Sequence, residues 1–65
     1  MLLYPHQQRV VKEKEELDEK LEKLLRFFMG DVYKKLDIAE QDRLSAQATA
    51  MKRYSDILGE RIAAF

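Results

Sequence analysis

The chain has 65 residues, with 12 basic and 12 acidic side chains that cancel to a formal net charge of zero, one histidine and no cysteine. Disulfides and thiolate zinc sites are excluded, one histidine cannot make a His-rich metal site, and the lack of a basic excess argues against a dedicated nucleic-acid binder. No apolar run approaches the ~20 residues that span a bilayer, and Met1-Leu2-Leu3 is too short for a signal-peptide core, so a cytoplasmic protein with no membrane partner is expected. A chain this short makes one small domain whose core barely offsets the entropy of ordering it. With disulfides and metals gone, self-association is the remaining source of stability.

Met1 to Tyr4 is a short apolar lead-in, and Pro5 suits the first turn of a helix, where its missing N–H costs nothing. Helix 1 is expected over about 5–29. Val10, Leu17 and Leu24 recur every seven residues, with Leu21 and Phe28 between them. Gln7 and Lys14 fall on the same seam, and a polar seam residue often fixes register or oligomer state. The outer face carries the acid-first pairs Glu16→Lys20, Glu19→Lys23 and Glu22→Arg26, worth ~0.2–0.5 kcal/mol each. This face reads as a solvated surface, or as an electrostatic docking strip. Val11, Leu25 and Phe27 widen the apolar stripe and imply more than one packing partner.

Gly30 is expected in the left-handed position past the helix end. The connection, 30–37, reads as one short helical turn with Val32, Tyr33 and Leu36 folded onto the core. Asp37 and Glu40 then read as a capping-box variant opening helix 2, about 38–63. Leu44, Ala48, Met51, Ser55, Leu58, Ile62 and Phe65 form one seam along it. Gln47, Ala50, Tyr54, Ile57 and Arg61 form a second row, each one position earlier. Gly59 interrupts the helix at ~1 kcal/mol relative to Ala, which close helix approach or a flexible end would explain. Met29 and Met51 read as core gap-fillers.

The fold class is therefore all-α, an antiparallel hairpin of two long helices in a single domain, 1–65, assembling as a four-helix bundle dimer or larger ring. The surplus stripe names the oligomer interface: Val11, Leu25, Phe27, Gln47, Ala50, Tyr54 and Ile57.

No catalytic constellation is present. His6 has no nearby carboxylate, Ser45 and Ser55 have no local histidine, and there is no phosphate loop or metal spacing. No enzyme activity and no cofactor are expected. Two places hold binding chemistry. At the open end of the hairpin, Tyr4, His6, Gln8 and Arg9 should lie near Ile57, Arg61 and Phe65, where a helix N-terminus, arginines and aromatic rings suit a phosphate or a stacked base. The first reading there is a frayed, solvated end whose Arg61 simply pairs with a carboxylate of a neighbour, and the ligand site is the second. Lys52, Arg53 and Tyr54, with Arg43 nearly three turns earlier, form a second basic-aromatic group that another subunit would have to complete. Here too the first reading is the plainer one, Tyr54 as interface packing with Lys52 and Arg53 solubilising. The ligand candidates are Tyr4, His6, Arg9, Arg53, Tyr54 and Arg61.

Pro5-His6-Gln7-Gln8-Arg9-Val10-Val11, Glu16-Leu17-Asp18-Glu19-Lys20-Leu21-Glu22-Lys23-Leu24, and Met51 with Tyr54-Ser55 and Ile57-Leu58-Gly59-Glu60-Arg61-Ile62 resemble a group of small proteins of tailed phages and enterobacterial prophages. The resemblance covers nearly the whole chain and implies a phage accessory protein in the bacterial cytoplasm. More loosely, the chain is similar to the helical-hairpin sponges that phages use against cyclic-nucleotide immune signalling, of the anti-CBASS and anti-Thoeris type. Shared features are a charged first helix and a second helix with Gln, Met, aromatic and Arg-Ile at helical spacing. That likeness implies a non-enzymatic oligomer that sequesters a cyclic nucleotide, or another phosphate-bearing small molecule, between subunits. A protein-interaction or assembly factor acting on a host or phage protein is the alternative, and a DNA-binding regulator the third.

Overall fold

The computed structural model describes residues 2–65; Met1, at the head of the apolar lead-in, lies outside them. Two long helices, α1 (Pro5–Phe28) and α3 (Ile38–Ala63), are joined by a short one, α2 (Asp31–Lys35), in a hairpin. The molecule is a rod of 48 × 15 × 13 Å.

Local chemistry sets the ends of each helix. Pro5 opens α1 behind an extended Tyr4, whose N–H donates to Gln7 Oε1 at 2.9 Å, while Gln8 Nε2 donates to the Leu3 carbonyl at 2.9 Å. Asp37 caps α3 by accepting from the Glu40 N–H at 2.8 Å. The Glu40 carboxylate turns to Arg43 at 2.8 Å, so one half of the capping box is seen. Gln41 Nε2 donates to the carbonyls of Tyr33 and Leu36, tying α2 to α3.

The connection departs from its sequence reading at Gly30 and Val32, and so does Met29 just before it, whereas Tyr33 and Leu36 are half-buried as expected. Gly30 sits at φ −93°, ψ 169°, extended and not left-handed, because α2 restarts at Asp31 and uses Gly30 as its N-cap. Val32 and Met29 are 61% and 81% exposed and so lie outside the core. Tyr33 is the residue that folds back: its ring lies 4.9 Å from that of Phe28 and edge-on to Phe27 at 6.3 Å.

The core is one seam. Val10, Leu21, Ala48 and Leu58 are buried with Ser55, and Leu17, Leu24, Phe28, Leu44, Met51 and Ile62 are half-buried around them. Gln7 and Lys14, the polar seam residues, are half-buried too. Phe65 remains 36% exposed at the end of the seam. The second row of α3, Gln47, Ala50, Tyr54, Ile57 and Arg61, is exposed throughout. On the outer face of α1, Glu19 pairs with Lys23 and Glu22 with Arg26, but Glu16 turns back to Lys12 at 3.9 Å instead of reaching Lys20. All three pairs are exposed, so each contributes little.

Gly59 is not forced by helix approach: a Cβ there would meet Lys14 Cε at 3.5 Å, an ordinary contact. Gly59→Ala is therefore expected to stabilise the protein by up to ~1 kcal/mol, raising the thermal midpoint by roughly 4–8 °C at matched concentration. Circular dichroism melting measures it, and a lowered midpoint would mean that the Lys14 stem cannot yield.

Candidate functional site

In an antiparallel pair, the residue just before a seam residue falls on the same side of the hairpin in both helices, about 100° round from the seam. Arg9 precedes Val10 and Arg61 precedes Ile62, so the two arginines share a side. Lys14 lies against both Ser55 and Gly59. Moving from that crossing toward the open end by equal heights brings Arg9 level with the last turn of α3, which holds Arg61.

Two cations of this corner are without ion pairs, as are Lys20, Lys34, Lys35 and Arg53 elsewhere among the described residues. Arg26 and Arg43 are ion-paired, whereas Arg9, Arg53 and Arg61 have no carboxylate within 4.0 Å among the described residues. The first turn of α1 holds no acid, while those of α2 and α3 hold Asp31 and Glu40. The positive end of α1 is thus left without a counter-charge from its own first turn. Tyr4, 68% exposed, stacks on His6 with ring centroids 5.9 Å apart and planes 5° apart.

The second basic-aromatic group does not come together as a group. Arg53 lies two residues before Ser55, about 160° from the seam, on the outer back of α3. It also lies about 12 Å along the helix from Arg61. Lys52 falls on the other side of the seam and pairs with Asp56, and Arg43 pairs with Glu40. Tyr54 precedes Ser55 and shares the Arg9–Arg61 side, 42% exposed. Consecutive helical residues fan round the axis, which is why three neighbours in sequence are dispersed in space.

One polar cluster went unrecognised in the sequence. The Lys14 ammonium donates to Asp18 Oδ2 and to Ser55 Oγ, both at 2.8 Å, and the Ser55 hydroxyl donates to Asp18 Oδ1. A Lys-Asp pair at i,i+4 facing a seam serine on the other helix was the signal, hidden because Asp18 reads as one more acid of the charged face. Ser55 is 4% exposed and gives its proton to Asp18, so no substrate reaches its oxygen. The cluster is a clamp between the helices.

Beside the clamp, on the side of the residues that follow the seam, lies an open groove of about 300 Å³ lined by Leu21, Leu25, Ala48, Thr49 and Lys52. Of the expected interface residues, Val11 and Leu25 fall on this side, whereas Phe27, Gln47, Ala50, Tyr54 and Ile57 fall on the other. Among the described residues, no group of three or more His, Asp or Glu could hold a metal, and no helix is long and apolar enough to cross a membrane.

Residues 4–64 match the family model described as Sequestin, and the chain belongs to that family. No curated protein and no solved structure matches it.

The clamp has an acid signature. Its hydrogen bonds from Lys14, foremost, and from Ser55 hold the Asp18 carboxyl below its ordinary value of 3.8. A lowered folded-state pKa contributes stability above the ordinary value, and that stability is lost as pH falls through the folded one. Denaturant unfolding of wild type should weaken between pH 5 and strongly acidic solution more steeply than that of Asp18→Asn. Parallel curves would remove Asp18 from the account of acid stability.

Proposed function

We propose that this Sequestin-family chain is a non-enzymatic accessory protein of a phage or prophage. On this reading it works in the bacterial cytoplasm, self-associates, and sequesters a phosphate-bearing small molecule. A cyclic nucleotide used as an immune signal is the leading ligand class. The observation that carries the reading is the pair Arg9 and Arg61, two arginines without ion partners on one side of a helix N-terminus that has no acid in its first turn. Guanidinium groups hold phosphate oxygens in a bidentate fork, and free N–H groups at a helix start add to the attraction. Tyr4 and His6 supply stacked rings beside them, and Tyr54 a further ring on the same side. Arg53, on the back of α3, would reach the ligand of a neighbouring copy. The family's name is consistent with a sequestering role, and so is the resemblance to phage sponges.

A second reading rests on the closed end of the hairpin, where Met29, Val32 and Ile38 are 81%, 61% and 75% exposed beside Lys34 and Lys35. That tip suits a host or phage protein partner. A stoichiometric protein captured through the tip, and lost in Val32→Glu, would favour it.

The double substitution Arg9→Glu, Arg61→Glu is expected to keep the far-ultraviolet helical signal and weaken cyclic-dinucleotide binding in calorimetry by 100-fold or more. The scale follows from two charge-assisted contacts worth about 1.5–3 kcal/mol each. Unchanged affinity in a folded variant would overturn the site.

A further inference from the structure

We infer that Ser55 is a positioning residue, whose hydroxyl holds α1 and α3 at the relative height that brings Arg9 and Arg61 level. This rests on the Arg9–Arg61 reading of the proposed function and names the group that sets its geometry.

Among the described residues, every direct hydrogen bond between α1 and α3 passes through one atom, Ser55 Oγ. It accepts from the Lys14 ammonium at 2.8 Å and donates to Asp18 Oδ1. The ion pairs all lie within a single helix, between residues three or four apart. Gln41, the other polar tie in the hairpin, donates to the carbonyls of Tyr33 and Leu36 and so binds α3 to the connection rather than to α1. Gln41 also lies about 30 Å along α3 from Arg61, whereas Ser55 lies about 9 Å from it. Ser55 is therefore the nearest point at which a hydrogen bond fixes the height of Arg61 against α1.

Packing alone does not call for a serine there. Ser55 is the one buried polar residue among those described, in a seam whose other buried members are Val10, Leu21, Ala48 and Leu58. Alanine, as at Ala48, fits such a place and brings no hydroxyl to satisfy. Lys14 is half-buried on the facing seam, where Leu17 and Leu21 show that leucine is accommodated. Polar groups at these two places reduce the apolar area buried, but they add direction. A hydrogen bond is satisfied at one register, an apolar contact at several. The receiving surface is shaped for the lysine as well. A Cβ at Gly59, one turn after Ser55, would stand 3.5 Å from Lys14 Cε, so the stem runs along bare backbone from Gly59 to the Ser55 hydroxyl. The consequence reaches the arginines because a slip of about 1.5 Å, the rise of one residue, carries an N–H···O contact out of hydrogen-bonding range.

The test pairs a distance with a ligand. Spin labels on Lys12→Cys of α1 and Ala46→Cys of α3, both exposed positions, lie about 20 Å apart along the rod axis, so a slip changes their separation directly. Double electron–electron resonance reads it, with unlabelled chain in excess so that only distances within one copy count. With Ser55 in place one distance is expected, and with Ser55→Ala a distance shifted or broadened by about 1.5 Å or more. Met51→Ala, which thins the same seam and keeps the hydroxyl, should leave the distance where it was. In calorimetry with cyclic di-GMP, Ser55→Ala should bind roughly 10-fold more weakly than wild type, the scale of one charge-assisted contact, and Met51→Ala like wild type. An unchanged distance in Ser55→Ala overturns the inference, as does an equal shift in Met51→Ala. Unchanged affinity in Ser55→Ala overturns it too, provided the Arg9→Glu, Arg61→Glu chain has lost binding. If wild type binds no cyclic di-GMP, or the double arginine variant binds as well as wild type, the ligand reading falls and the distance alone decides on Ser55. Should Ser55→Ala lose its helical signal, Lys14→Met with Asp18→Ala removes both partners from the α1 side, and an unchanged distance there overturns the inference equally.

Discussion

Register between α1 and α3 is the constraint on which the rest of the molecule depends, and one polar contact fixes it. Lys14, Asp18 and Ser55 satisfy one another across an otherwise apolar seam. Sliding the helices by a turn would part Ser55 from Lys14 and Asp18, which remain paired to each other on α1, and leave a nearly buried serine hydroxyl without partners. Apolar contacts alone tolerate such slippage, because leucines and alanines at similar spacing are interchangeable along a seam. The clamp removes that freedom near the middle of the rod, and at the closed end Tyr33 packs α2 on Phe28 of α1 while Gln41 ties α2 to α3.

Every feature of the candidate site inherits this alignment. Arg9 and Arg61 come level at the open end only because Lys14 stands opposite the Ser55–Gly59 turn. The groove beside Leu25 exists because small Ala48 and Thr49 fall opposite Leu21 and Leu25. Longer side chains at either position would fill it. A polar interaction that contributes modestly to stability thus has a large effect on geometry, the pattern expected where a buried polar contact selects one arrangement among several of similar energy.

The sequence showed the hairpin clearly, since periodicity over two long segments is the strongest signal a helical chain carries, and Pro5 and Asp37 marked helix starts that the structure keeps. Gly30 misled because glycine suits both a left-handed helix end and an extended N-cap, and only the immediate restart at Asp31 decides between them. Hydropathy alone places Val32 and Met29 in the core, but it cannot see that a five-residue helix turns Val32 outward or that Met29, the C-cap of α1, stands in solvent. Lys52, Arg53 and Tyr54 looked like a cluster because they are adjacent in sequence, which in a helix means pointing apart. Asp18 was hidden by its acidic neighbours. Arg9 and Arg61 were legible as residues, but their lack of ion partners needed coordinates.

The thinness of the core has a consequence for how such a protein would act in a cell. Among the described residues only five are buried, and no covalent cross-link supports them. If the chain self-associates as proposed, the folded state of each copy would depend on the presence of others, and folding and assembly would respond to the same variable, concentration. A titrating agent built this way would have a threshold, below which diluted chains would lose helical structure and above which each added copy would complete sites on copies already made. Dose, set by how strongly and how early the gene is expressed, would then be part of the proposed mechanism.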